Sequence, residues 1–134
     1  MSITKQKARE ILQEAELLYS AEQVQVALQN VAQKINVALA ETHPLVLSVM
    51  GGAVVFSGQL LPMLNFPLDF DYVHVSRYGD ARKGGAMQWK VEPRENVRGR
   101  VVLLLDDILD EGHTLSVLRD RVLELGASHC YSAV

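Results

Sequence analysis

The chain has 134 residues, 49% of them hydrophobic and 22% charged, and a net charge of −3, the balance of a single globular domain with one core. That charge gives no support for a nucleic-acid or membrane-surface partner, and neither is expected. The single cysteine, Cys130, rules out an internal disulfide and points to a reducing, cytoplasmic setting. No stretch reaches transmembrane length, and the amphipathic N-terminus lacks the apolar core of a signal peptide.

Residues 4–18 place Ala8, Ile11, Leu12, Ala15 and Leu18 on one helical face, with Thr4 as N-cap. Ser20 precedes a second helix, 21–40, in which Val24, Leu28, Val31, Ile35 and Leu39 recur at helical spacing. Pro44 ends it and opens "LVLSVM", a short buried strand. A glycine turn and a helix from Ala53 to Leu64 follow, with Pro62 distorting the last turn. "DFDYVHVSR", 69–77, is rich in β-branched and aromatic residues and reads as a strand. Three glycines and no apolar periodicity make 78–86 a flexible loop. "MQWKVEP" is a shorter strand stopped by Pro93, and "VVLLLDD" is another. A helix from Thr114 to Leu125 stops at Gly126, and "SHCYSAV" begins a last strand. Strands alternating with helices predict the α/β class: a Rossmann-like parallel sheet with helices on both faces. Residues 1–40 form N-terminal helices and 45–134 the α/β core of the one domain.

The most informative stretch is "VVLLLDDILDEGHTL", 101–115. Asp106, Asp107, Asp110 and Glu111 gather where a buried strand ends, and ligands of open α/β sheets bind beyond such ends. The next helix starts near Thr114, so its free N–H groups face the same space, with Gly112 and the Thr114 hydroxyl completing a phosphate cradle. Carboxylates tolerate such crowding when they hold Mg²⁺ or accept from sugar hydroxyls. The ligand that fits is a phosphorylated sugar with its metal. A solvated helix cap is the plainer alternative. A P-loop ATPase is another, but it needs a glycine-rich loop ending in lysine, and "GGAVVFSG" has no lysine.

This stretch closely resembles the phosphoribosyl-pyrophosphate motif of the type I phosphoribosyltransferases: a hydrophobic strand, two acids, two apolar residues, then Asp-x-Gly-x-Thr. "LSVMGGAVVFSGQLLPMLNFPLDFDYVHVSRYGD" resembles the first half of the bacterial 6-oxopurine branch, and the likeness runs from about residue 40 to the end. The resemblance implies purine salvage: hypoxanthine or guanine attacks C1′ of phosphoribosyl pyrophosphate, giving the nucleoside monophosphate and pyrophosphate, with Mg²⁺ neutralising the leaving group. It implies that Asp106 and Asp107 bind the ribose hydroxyls or waters of Mg²⁺, and that Asp110 is the general base near purine N7. It implies that Asp110, Glu111, Gly112, His113 and Thr114 wrap the 5′-phosphate through backbone N–H groups and the Thr114 hydroxyl. Val49, Met50, Gly51 and Gly52 correspond to the pyrophosphate loop, with a cis peptide expected between Val49 and Met50. Arg77 and Tyr78 correspond to the mobile lid. Dimers or tetramers are common in the family, so a homo-oligomer is expected.

Three departures stand out. Arg77 occupies a position where serine is common, and Glu111 one where a small hydroxyl residue is common, so no binding role is given to the Glu111 side chain. Family members continue past the last strand into a small hood supplying a lysine, a stacking ring and a further acid for the purine. Those positions are not in this sequence, so a chain ending at Val134 is expected to bind the sugar diphosphate weakly, turn over little purine and associate. A non-catalytic regulator on the same fold is the second hypothesis, but a pure binder does not require the base Asp110. His43, His74, His113 and His129 lack the spacing of zinc ligands, and Cys130 and Trp89 read as packing residues.

Overall fold

The structure, a computed structural model, describes residues 2–77, 87–108 and 113–134. The readings made for Tyr78 and the rest of 78–86, and for Asp110, Glu111 and Gly112, lie outside them.

Helix α1, Lys5–Glu14, starts where Thr4 accepts from the Lys7 amide. It stops before the 18 expected, because Ser20 must adopt an extended backbone to cap the next helix and Ala15 already has one. α1 buries none of its residues; Leu12 and Leu18, expected on a packed face, are 77% and 76% exposed. Ser20 and Gln23 form a capping box for α2, Ala21–Leu39, each satisfying the other's amide. α2 buries Leu28, Ala32, Ile35 and Leu39, while Val24 faces outward, so the buried stripe is turned slightly from the one expected.

The strands are β1 (Leu45–Val49), β2 (Asp69–Arg77), β3 (Met87–Val91), β4 (Val101–Leu105) and β5 (His129–Ala133), arranged 3-2-1-4-5. β2, β1, β4 and β5 are parallel neighbours, whereas β3 pairs antiparallel with β2 at one edge. The sheet is therefore mixed rather than wholly parallel. Helix α3, Val54–Leu60, tightens into a 3₁₀ turn at Leu61–Met63, where Pro62 sits. Helix α4, His113–Glu124, ends at Gly126, whose φ of +105° suits a residue without a side chain.

Strand periodicity divides the core in two. Leu45, Leu47, Val102 and Leu104 point to one face and meet Leu115, Leu118 and Val122 of α4. Val46, Leu103 and Leu105 point to the other and meet α2 and Leu60 of α3. Burial of each such leucine stabilises the fold by about 1.5–3 kcal/mol.

Polar groups finish the frame. At the amino ends of the strands, Arg100 donates to Asp69 at 2.9 Å and to the His43 carbonyl at 3.0 Å. Asp71, buried on β2, accepts from the backbone amides of Tyr72, Arg94 and Glu95 at 2.8, 2.5 and 3.1 Å. Arg121 of α4 donates to the Met87 carbonyl and stacks over Trp89 at 5.9 Å, joining α4 to β3. Burial pushes the Cys130 thiol up to about 11 despite nearby Arg119, which keeps it protonated at neutral pH. Among the described residues, no helix is long and apolar enough to cross a membrane.

Candidate active site

β1 lies between β2 and β4, all parallel, so their carboxyl ends share one edge. From β1 the chain passes through α3 on the α2 face, and from β4 through α4 on the opposite face. The crevice between β1 and β4 is thus a topological switch point, where open α/β sheets bind ligands. Register pairs Ser48 with Leu105, so Val49-Met50-Gly51-Gly52 and Asp106-Asp107 leave the sheet side by side.

The first of these segments continues the ladder by one bond, from the Met50 amide to the Val73 carbonyl at 2.8 Å. It then turns, with Ala53 donating to Val49 and Val54 to Gly51. Its cis peptide joins Met50 to Gly51, not Val49 to Met50 as the resemblance implied. Val49 is buried, Met50 partly so, and both glycines are exposed. A Cβ built on Gly52 would lie 2.8 Å from Asp107 Oδ2 and 2.9 Å from Oδ1, so the acid is packed directly on the loop. Hydrogen at position 52 is what permits this approach.

On the β4 side, the Asp106 amide donates to the Ala133 carbonyl at 3.1 Å, carrying the β5 ladder one residue past the strand. Asp106 is buried, and its Oδ1 accepts from the Asp107 amide at 2.8 Å. Asp107 is exposed, and its Oδ1 accepts from the Ile108 amide at 2.8 Å. Burial raises the Asp106 carboxyl to about 6; the Asp107 amide pulls the other way, and the Asp107 carboxylate adds to the rise. Thr114 lies in the first turn of α4 and is partly buried, and His113 opens that helix. Arg77 is the last residue of β2. The structure therefore brings together the glycine loop and the two leading acids, and places the start of α4 after them in the chain.

The raised Asp106 carboxyl has a sign. The folded chain holds this proton more tightly than the unfolded chain, whose carboxyl titrates near 3.8. Its contribution to stability is fully present below about pH 4 and is lost as pH rises through about 6. Asp106→Asn, neutral at every pH and still able to accept from the Asp107 amide, is expected to melt higher than the native chain at pH 8. A gain of about 2–8 °C is the scale for a change near 1 kcal/mol in domains of this size range. Thermal melts of both chains at pH 4 and pH 8 measure it, and the same difference at the two pH values would contradict it.

Four further residues carry structural weight that the pattern reading did not assign: Ser48, Ser57, Asp71 and Arg121. Ser48 interrupts an apolar run, and Asp71 shares a strand face with Val73. Those interruptions were the available signals.

Comparison with known proteins agrees with this geometry. The family model described as the phosphoribosyl transferase domain matches residues 15–134. The chain belongs to that family, and its sheet is the type I phosphoribosyltransferase core. Within the family it is similar to the hypoxanthine-guanine phosphoribosyltransferase of Streptococcus agalactiae, 31% identical over 105 residues, covering 78% of this chain and 58% of that protein. The hypoxanthine-guanine-xanthine phosphoribosyltransferase of Tritrichomonas foetus is 30% identical over 106 residues, with 79% and 58% covered. A solved hypoxanthine-guanine phosphoribosyltransferase from Bacillus anthracis superposes with a TM-score of 0.82 at 24% identity, covering 89% of this chain and 71% of that one. The chain spans 58% of the length of the two relatives.

Proposed function

We propose that this chain carries the sugar-diphosphate half of a 6-oxopurine phosphoribosyltransferase, a purine-salvage enzyme. It joins hypoxanthine or guanine to phosphoribosyl pyrophosphate and releases IMP or GMP with pyrophosphate. The observation that carries the reading is the contact between Gly52 and Asp107. It puts a glycine loop suited to diphosphate oxygens against acids suited to ribose hydroxyls, in the crevice where such folds bind ligands.

In this reading the loop of Val49 to Gly52 receives the diphosphate through the amides of Gly51 and Gly52, since the Met50 amide already donates to the Val73 carbonyl. Asp106 and Asp107 receive the ribose hydroxyls or would hold the waters of a Mg²⁺ ion. The donor set fits that ion: two adjacent carboxylates, Asp106 and Asp107, at the end of β4. Mg²⁺ is commonly held by one or two carboxylates, waters and substrate oxygens. When bound, it neutralises charge on the departing diphosphate. Asp110 takes the proton from the purine as its nitrogen attacks C1′. Residues 110–114 hold the 5′-phosphate, and Arg77 with Tyr78 begins the lid that excludes water from the reacting ribose. The enzyme acts in the cytoplasm, a setting that the single cysteine of this sequence suits. It self-associates as a dimer or tetramer, for which exposed Leu12, Leu17 and Leu18 and, on α3, Val54 and Val55 leave apolar surface.

The direct experiment is calorimetric titration of the chain with phosphoribosyl pyrophosphate, with and without Mg²⁺, followed by nucleotide assays with hypoxanthine, guanine and xanthine. Saturable, Mg²⁺-dependent binding is expected. Absence of binding at millimolar ligand overturns the reading.

A further inference from the structure

Among the described residues, four polar side chains are buried: Ser48, Ser57, Asp71 and Asp106. Asp106 belongs to the site, and Asp71 holds three backbone amides. The two serines remain. Ser48 is the residue of β1 immediately before the glycine loop, and Ser57 lies on α3 one turn beyond Ala53, to whose carbonyl its amide donates. They are 0% and 3% exposed, and their hydroxyl oxygens lie 2.7 Å apart. The other residues of β1 are apolar, and packing alone would be met by apolar side chains here as well.

We propose that the Ser48–Ser57 hydroxyl pair is a positioning element for the diphosphate loop, closing its base and setting where Gly51 and Gly52 present their amides. The inference rests on the reading of residues 49–52 as that loop. A hydrogen bond has a preferred length and direction, whereas an apolar contact permits sliding. Sliding matters here because loop and acid lie directly against each other: a Cβ at position 52 would fall 2.8 Å from the Asp107 carboxylate, which would then have to swing away. A shift of the loop by a few tenths of an ångström alters the gap in which ribose acids and diphosphate amides must act together.

The test uses Ser48→Ala, Ser57→Ala and the double variant in the full chain, with melting temperature, Mg²⁺–pyrophosphate binding and ribose 5-phosphate binding measured. Each single variant orphans a buried hydroxyl and is expected to melt lower; the double variant removes both and is expected to recover. A merely structural pair predicts that binding recovers with it. A positioning pair predicts that pyrophosphate binding stays weaker by about 10-fold or more while ribose 5-phosphate binding changes by less than about 2-fold, since misplacement acts only on the displaced groups. Native pyrophosphate affinity in the double variant overturns the proposal alone. A native chain that binds ribose 5-phosphate but not pyrophosphate overturns both the proposal and the loop assignment. If the double variant does not fold, Ser57→Thr and Ser57→Val, matched in volume and differing in the hydroxyl, are compared. Tighter pyrophosphate binding by the threonine variant is expected, and equal binding overturns the proposal.

Discussion

In a protein that carries the complete domain, hood included, Asp110→Asn is expected to lower nucleotide formation by roughly 10²–10⁴-fold, the range for loss of a general base. The substitution keeps the size and shape of the side chain and removes its ability to take a proton at neutral pH. Asp106, Asp107 and the glycine loop are untouched, so affinity for phosphoribosyl pyrophosphate should stay near the native value. The comparison is between native and variant chains of identical length, with turnover and ligand affinity measured separately. A fall in turnover at constant affinity assigns Asp110 to proton transfer. Near-native turnover removes it from the mechanism, and a parallel fall in affinity makes it a binding residue instead.

Gly52→Ala is expected to weaken sugar-diphosphate binding by about 10²-fold, the scale on which displacement of a positioned group is felt. The new Cβ would fall 2.8 Å from Asp107 Oδ2. The carboxylate must then swing away, and its bond to the Ile108 amide goes with it. Asp107 is exposed, so it moves into water and the fold should lose little stability. Gly58→Ala is the control. A Cβ there meets nothing within 4 Å, in the middle of α3. It should raise stability by about 0.4–1 kcal/mol, as alanine does in a helix, and leave binding unchanged. Circular dichroism and calorimetry read the two effects independently. Equal affinities for the Gly52 variant and the native chain would show that Asp107 need not sit where the structure puts it.

Much of this architecture is legible along the chain because each element carries its own period. The apolar runs at 45–49 and 101–105 have no alternation and are buried on both faces. Ser20 with Gln23 marks a helix start and Gly126 a helix stop, each through a local bond or dihedral. The antiparallel edge was missed, although chain length held the clue: residues 78–86 are too few for the crossover a parallel neighbour needs. The end of α1 was not legible, because nothing in its pattern says that the apolar face goes uncovered. The acids proposed for the site stand out in the sequence by their crowding. The contact between Gly52 and Asp107 does not, since it arises from the register of two strands far apart in sequence. The cis bond at Met50–Gly51 is likewise a property of backbone geometry, one position from where the resemblance put it.

The hold of Asp71 on Tyr72, Arg94 and Glu95 divides the freedom to vary unequally between partners. All three donors are main-chain amides, and every amino acid except proline offers the same donor. As far as this anchor is concerned, side chains at 94 and 95 can change while the turn stays moored, although Arg94 also lies over the Tyr72 ring at 5.9 Å. Position 71 has no such latitude, because one carboxylate accepts all three bonds, and an amide in its place turns one acceptor oxygen into a donor facing another donor. A diverging lineage would keep the anchor fixed while rewriting the surface tied to it.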